Sequence, residues 1–189
     1  MMITDEYNPV DELSGMVYSE RDFDLLEAAR APMLTESQML ELAKNGEYSV
    51  RKALASRLDL TTDVIREFLR SEPEPELVAL ALRGYNGTEL LTELAQNSDS
   101  RIRRLAASHE NTPEKSLLEL VHDNHKMVRH AIVSREEIPL DVQKILARDP
   151  SAEIRMDLAR RDDLFFSAYE ILKEDLDLSV RKIADTELN

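Results

Sequence analysis

Apolar residues recur along this chain at two distances. Within short segments they fall three and four positions apart, the spacing of an amphipathic helix. Over longer distances they recur every 26 positions. Leu42, Phe68, Leu94, Leu120, Leu146 and Leu172 form one column, apolar at all six places. Met39, Ile65, Leu91, Leu117, Gln143 and Tyr169 form a second. In the segment that follows each of these, Leu54, Leu80, Ala106, Ile132, Leu158 and Ala184 align, as do Ala55, Ala81, Ala107, Val133 and Ala159. The stretch from Ser100 to Asp123 shows the unit best: a short segment opening on Ile102-Arg103, a Thr112-Pro113 turn, then a Leu-rich segment. Its opening pair returns as Val50-Arg51, Val128-Arg129, Ile154-Arg155 and Val180-Arg181. A fixed period of this length predicts an all-α solenoid of about six 26-residue units, each a pair of short helices. Helices of roughly 8 to 12 residues are marginal alone, so stacking must hold them.

The small-residue column at Ala55 lies about 140° around the helix from the Val50 column, at 100° per residue. Alanine there lets the next unit approach closely. In the last unit this column holds Asp185, as expected where no further unit stacks. Residues 1–21 stand outside the period and read as an acidic N-terminal segment or partial cap. They carry an Asn8-Pro9 turn signal, then a helix expected from about Asp11 with Leu13 and Met16 on one face. The repeat domain is expected over 22–189. One unit is degenerate: Glu76-Leu77 replaces the Val/Ile-Arg pair, and Pro73 and Pro75 precede it. Ala79, Leu80, Ala81 and Arg83 are expected to keep register there, with an altered helix entry and a local change of curvature around residues 71–88.

Asn111-Thr112-Pro113 through Asp123, and Ile138-Pro139 through Asp149-Pro150, carry a family likeness. The pattern, Val-Arg start, Pro-bearing turn and Leu-rich helix ending in Asp, resembles the leucine-rich repeat variant family over roughly residues 24–189. HEAT-like repeats are the second resemblance, though their units usually run longer. The likeness implies a right-handed superhelix of short helices and a binding role, since the family shares no catalytic residues. The family's founding architecture adds a cysteine-ligated iron–sulfur module. This chain has no Cys, so that cofactor does not carry over.

The absence of Cys also removes thiolate metal sites and cysteine nucleophiles. Four glycines among 189 residues argue against a glycine-rich phosphate loop. No apolar run reaches the ~20 residues of a membrane span, and no secretory signal is recognisable, so a cytoplasmic protein is expected. The net charge of −14 disfavours general nucleic-acid binding. No catalytic signature is found, and a non-enzyme without cofactor or metal is expected.

The conspicuous polar columns read as structural. Arg51, Arg103, Arg129, Arg155 and Arg181 follow turns that hold Asp99, Asp123, Asp149, Asp175 and Asp177, close enough for ion pairs and capping. Arg57, Arg83, His109, Arg135 and Arg161 fall where each first helix ends, and a cation there complements the helix dipole. His122, His125 and His130 could suggest a metal, but the 26-residue equivalents of His122 are ordinary polar residues. The variable columns remain. Lys52, Val78, Arg104, His130, Met156 and Lys182, with Ser56, Leu82, Ser108, Ser134 and Arg160, are expected to form an exposed face of the first helices. Lys52, Arg104, His130, Met156, Arg160 and Lys182 are the candidate contacts for a protein or peptide partner. The reading is a non-catalytic interaction scaffold. Its alternative is an acidic mimic of nucleic acid that blocks a nucleic-acid-binding protein. A repeat enzyme acting on damaged DNA is a third reading; it would need a basic face with aromatics.

Overall fold

A computed structural model describes residues 20–70 and 74–186. Of the expected N-terminal segment or cap, residues 1–21, all but Glu20 and Arg21, which open the first helix, lie outside them, as does Pro73. The described residues form thirteen α-helices and no strand, which bears out the all-α expectation. The chain divides into two compact units, one ending at Gly84 and the other starting at Tyr85.

The first unit contains α1 (Glu20–Arg30), α2 (Glu36–Asn45), α3 (Tyr48–Ala55), α4 (Thr62–Arg70) and α5 (Pro75–Ala81), then a 3-10 turn at Leu82–Gly84. Odd-numbered helices pack on each other in the order α1, α3, α5, and α2 packs on α4. Thr35 starts α2 with a reciprocal cap: its hydroxyl accepts from the Gln38 amide at 3.3 Å, and its own amide donates to Gln38 Oε1 at 2.9 Å. Gly46 ends α2 because a Cβ there would lie 2.5 Å from the Leu42 carbonyl and 2.9 Å from Val50.

The second unit contains α6 (Thr88–Ala95), α7 (Ser100–Ser108), α8 (Glu114–Leu120), α9 (Lys126–Val133), α10 (Leu140–Leu146), α11 (Ala152–Ala159), α12 (Phe166–Leu172) and α13 (Leu178–Thr186). Here α7, α9, α11 and α13 pack in one row, and α6, α8, α10 and α12 in the other. The apolar columns lie between the rows. Leu42, Phe68, Leu94, Leu120, Leu146 and Leu172 are all buried, as their column predicts. So are Ala55, Ala81, Ala107, Val133 and Ala159, while Asp185 is exposed. Gln143 is wholly buried in an otherwise apolar column, and the burial costs little because its amide is satisfied. Nε2 donates to the carbonyls of Ile138 (3.2 Å) and Asp163 (3.1 Å), and Oε1 accepts from the Phe165 amide (3.0 Å).

The degenerate helix α5 departs from the expected register. Leu80 is only half-buried, whereas Leu77, Val78, Ala81 and Leu82 are buried and Glu76 is exposed. The core face has moved by one residue, about 100° around the helix. Pro75 explains the shift. It occupies the first helical position with its fixed φ, so the helix starts from the proline rather than from an Asp or Ser cap. Val78 and Leu82 therefore do not belong to an exposed face, contrary to expectation.

Candidate functional site

The arginines that follow each Val/Ile build a ladder within the second unit. Arg103 donates from Nε and Nη2 to Asp123 at 2.6 and 3.0 Å. Arg129 does the same to Asp149 at 2.7 and 3.1 Å, and Arg155 to Asp175 at 2.6 and 3.0 Å. Each pair is 20 residues apart, so the partner is the Asp of the following turn. The Asp upstream, which the sequence suggested as the ion-pair partner, supplies its backbone carbonyl instead. Arg129 donates to the Asp123 carbonyl at 2.7 Å, Arg155 to that of Asp149 at 2.6 Å, and Arg181 to that of Asp175. The same carboxylates cap the turns: Asp123, Asp149 and Asp175 accept from the amides of His125, Ser151 and Asp177 at 2.8 Å. One aspartate thus orders its own turn and clamps two successive arginines.

These contacts perturb titration. Arg155 and the Asp177 amide hold the Asp175 carboxyl below its ordinary value against the cost of burial. Burial pushes the Asp123 carboxyl up, but the Arg103 and His125 hydrogen bonds outweigh it and the net shift is down.

The second basic column works one unit further back than its position suggests. Arg57 donates to the carbonyls of Ala29 and Ala31, at the end of α1. Arg135 reaches the carbonyls of Ala107, His109 and Glu110 at the end of α7, and Arg161 those of Val133, Arg135 and Glu136 at the end of α9. Each guanidinium therefore fills the orphan carbonyls of the preceding first helix. Arg83 of the same column is exposed. In that unit Gly84 instead brings its backbone against Leu58, where a Cβ would lie 3.1 Å from the carbonyl.

Two clefts flank the ladder. One, about 670 Å3, includes His122, Asp123, Arg129, Lys144, Arg148 and Asp149. A second, of about 380 Å3, repeats it 26 residues on, around Arg148, Asp149, Arg155 and Asp175. His125 is exposed nearby, and the described residues contain no His/Asp/Glu cluster that could hold a metal ion.

Arg104 on α7, His130 on α9, Met156 and Arg160 on and after α11, and Lys182 on α13 lie at 26-residue equivalents or four residues on, along one row of packed helices. Arg104, Arg160 and Lys182 are exposed; His130 and Met156 are half-buried. Lys52 is exposed in the first unit, its ammonium 6.0 Å from the Tyr48 ring centroid. The cations of the α9–α11 part are not bare. His130 Nε2 lies 3.1 Å from Asp157 Oδ2, Asp157 Oδ1 accepts from Arg160 at 2.7 Å, and Lys126 pairs with Glu153.

The chain matches no family model, no curated protein and no solved structure. Its own geometry must carry the reading. Sequence columns did not anticipate Glu153 and Asp157, because they pair 27 residues from Lys126 and His130, one position off the period. Nor did they single out Phe165 and Phe166, which are 45% and 73% exposed. Their signal was available: the equivalents of Phe166 one to five units back are Leu140, Glu114, Thr88, Thr62 and Glu36, so the column turns from polar to apolar towards the C-terminus.

Proposed function

We propose that this protein is a non-catalytic interaction scaffold, a right-handed solenoid of about six two-helix repeats of the leucine-rich repeat variant type, acting in the cytoplasm. The observation that carries the reading is the division of labour among the columns of the second unit. Apolar columns fill the space between the helix rows, and the arginine columns are spent on Asp carboxylates and backbone carbonyls. Side chains outside both sets remain on the first-helix face, in a row set by packed helices, where the internal pairs they make are at most half-buried. Such a row suits an extended segment of a partner. Because Glu153 and Asp157 answer Lys126, His130 and Arg160, that partner is expected to carry both signs of charge.

The test is a quadruple variant, Arg104→Glu, His130→Glu, Met156→Ser and Arg160→Glu. Proteins captured by the wild-type chain and lost by this variant, at an unchanged melting temperature, support the face as the contact. Full retention in the folded variant removes it.

One observation favours the mimic as a second reading. Glu110, Glu136 and Asp162 occupy the same place in three successive turns, and Glu137 and Asp163 sit beside two of them. Displacement of DNA from a captured partner by the wild-type chain would select the mimic over the scaffold.

A further inference from the structure

The turns that join first to second helices in the second unit form a groove of about 800 Å3. Its apolar lining comes from Leu117, Ile138, Pro139 and Phe165, and its acidic lining from Glu110, Glu114, Glu136, Glu137 and Asp163. Among the described residues that line it, Arg135 is the only cation. That guanidinium is occupied. It is buried and donates to the carbonyls of Ala107 (3.2 Å), His109, Glu110 (2.9 Å) and Glu137 (3.3 Å). The arginine takes up the backbone carbonyls of Glu110 and Glu137 and, of the acidic lining, attracts only the Glu110 carboxylate. Asp163 is paired with Arg161 at 2.6 Å, whereas Glu114, Glu136 and Glu137 are exposed and make no ion pair among the described residues. At one end the groove meets Phe165, with Phe166 and Leu140, 37% exposed, beside it in sequence and in column.

We infer that this groove binds an extended segment of a partner protein that alternates lysine or arginine with apolar residues. Three features converge. The rim carries unpaired negative charge, the floor is apolar, and the walls are held before any partner arrives. Arg135 fixes the turns at 107–110 and 137; Thr112 Oγ1 donates to the Ala106 carbonyl at 2.5 Å; and Gln143 holds the Phe165 amide. A preformed groove spends little of its binding energy on ordering. The spacing of the partner's cations follows from the repeat. Adjacent packed helices lie roughly 8–10 Å apart, and an extended chain rises about 3.3 Å per residue. Glu110 and Glu136, one unit apart, therefore match cations three residues apart. This surface meets the first-helix face at Ser108 but contains none of its six candidate contacts, and it shares with the scaffold reading only the premise that the partner is a protein.

The experiment uses the full chain and a fluorescein-labelled nonapeptide with lysine at every third position and leucine and glycine between. Fluorescence anisotropy reads binding at low salt. Changing Glu110, Glu136 and Glu137 together to Gln is expected to weaken binding about tenfold, since each exposed pair contributes a fraction of that factor. Phe165→Ser is expected to weaken it as well. The equal charge change at Glu36, Glu41 and Glu47, exposed in the first unit, is expected to alter affinity less than about twofold. Glu136→Lys, a single exposed substitution, gives an independent reading and should reduce binding at an unchanged melting temperature. Equal weakening by both triple variants would mean attraction to bulk charge and would overturn the proposal. So would unchanged binding in the groove triple. The quadruple variant of the first-helix face should bind this peptide normally, so failure of one surface is separable from failure of the other.

Discussion

Arg51 in the first unit and Arg129 in the second occupy the same place in the repeat, and their side chains are buried alike, 13% and 10% exposed. Their surroundings differ. Arg129 forms a two-bond clamp on Asp149 and a third bond to the Asp123 carbonyl. Among the described residues Arg51 has only Glu74, 3.4 Å away with no hydrogen bond to that carboxylate oxygen, and the Phe68 ring centroid at 5.9 Å; its Nε and Nη2 are buried without a hydrogen-bond partner. The ladder aspartates of the second unit have no counterpart at residue 71, which is Ser, and the next arginine position is Leu77. A buried guanidinium is an asset only where its partners are complete. The same residue in the same column thus orders one unit and burdens the other.

The largest expected effect tests that contrast. Asp149→Ala leaves Arg129 buried and unpaired, and should destabilise by about 3–5 kcal/mol. Arg51→Met removes unfilled donors while keeping the volume of the stem, and should cost less than about 1 kcal/mol or stabilise. Denaturant melts of the two variants decide it; equal losses would break the comparison.

The rotated helix gives the next test. Leu77 stands in the arginine column by sequence but in the core by structure, so Leu77→Ala should cost about 2–5 kcal/mol, as should Leu94→Ala and Leu120→Ala. Leu80→Ala, core by column but half-buried, should cost less than half as much. The reverse order would restore the unbroken 26-residue register.

This marks how far the sequence was legible. Helix pairing and core were readable wherever the period held, because one column places six residues at once; the count was not, since six two-helix units imply twelve helices and the described residues form thirteen. The interior of the second unit was therefore clear in advance, including the structural role of both arginine columns. The partners of those arginines were not, since the pairs span 20 residues in one column and 25 to 28 in the other, and only packing selects among nearby acids and carbonyls. At α5 the period misled, because a proline start overrides a one-residue register that periodicity cannot resolve. The groove was illegible for a different reason: it is formed by turn residues of three units, which no single column contains.

Acid should act on the second unit's ladder. Asp123 and Asp175 titrate below the ordinary aspartate value of about 3.9 in the folded chain. The unfolded chain therefore binds more protons as pH falls past that value, so the stabilisation is complete above it and is lost as pH drops through the folded values. Their arginine partners stay charged throughout. Melting temperature should be flat from neutrality to about pH 5 and fall below about pH 4, and Asp175→Asn should flatten the fall. An unchanged acid slope in that variant would remove Asp175 as a contributor.

The smallest expected effect concerns the face assigned to binding. Lys52→Ala in the first unit and Arg104→Ala in the second should each stay within about 0.5 kcal/mol, since neither side chain supports the core. The pair of His130 and Asp157 is the sharper case, because it joins α9 directly to α11 from a half-exposed position, whereas the buried clamps join a first helix to a turn. Exposed pairs couple by about 0.2–1 kcal/mol and are screened by salt. A double-mutant cycle on His130→Ala and Asp157→Ala should fall in that range at low ionic strength and shrink towards zero in 1 M salt, where the Debye length is about 3 Å. Coupling that small means a partner can reorganise the pair at little cost. Coupling as large as that of Arg129 with Asp149 would make His130 part of the frame, and the face would then no longer be free for a partner.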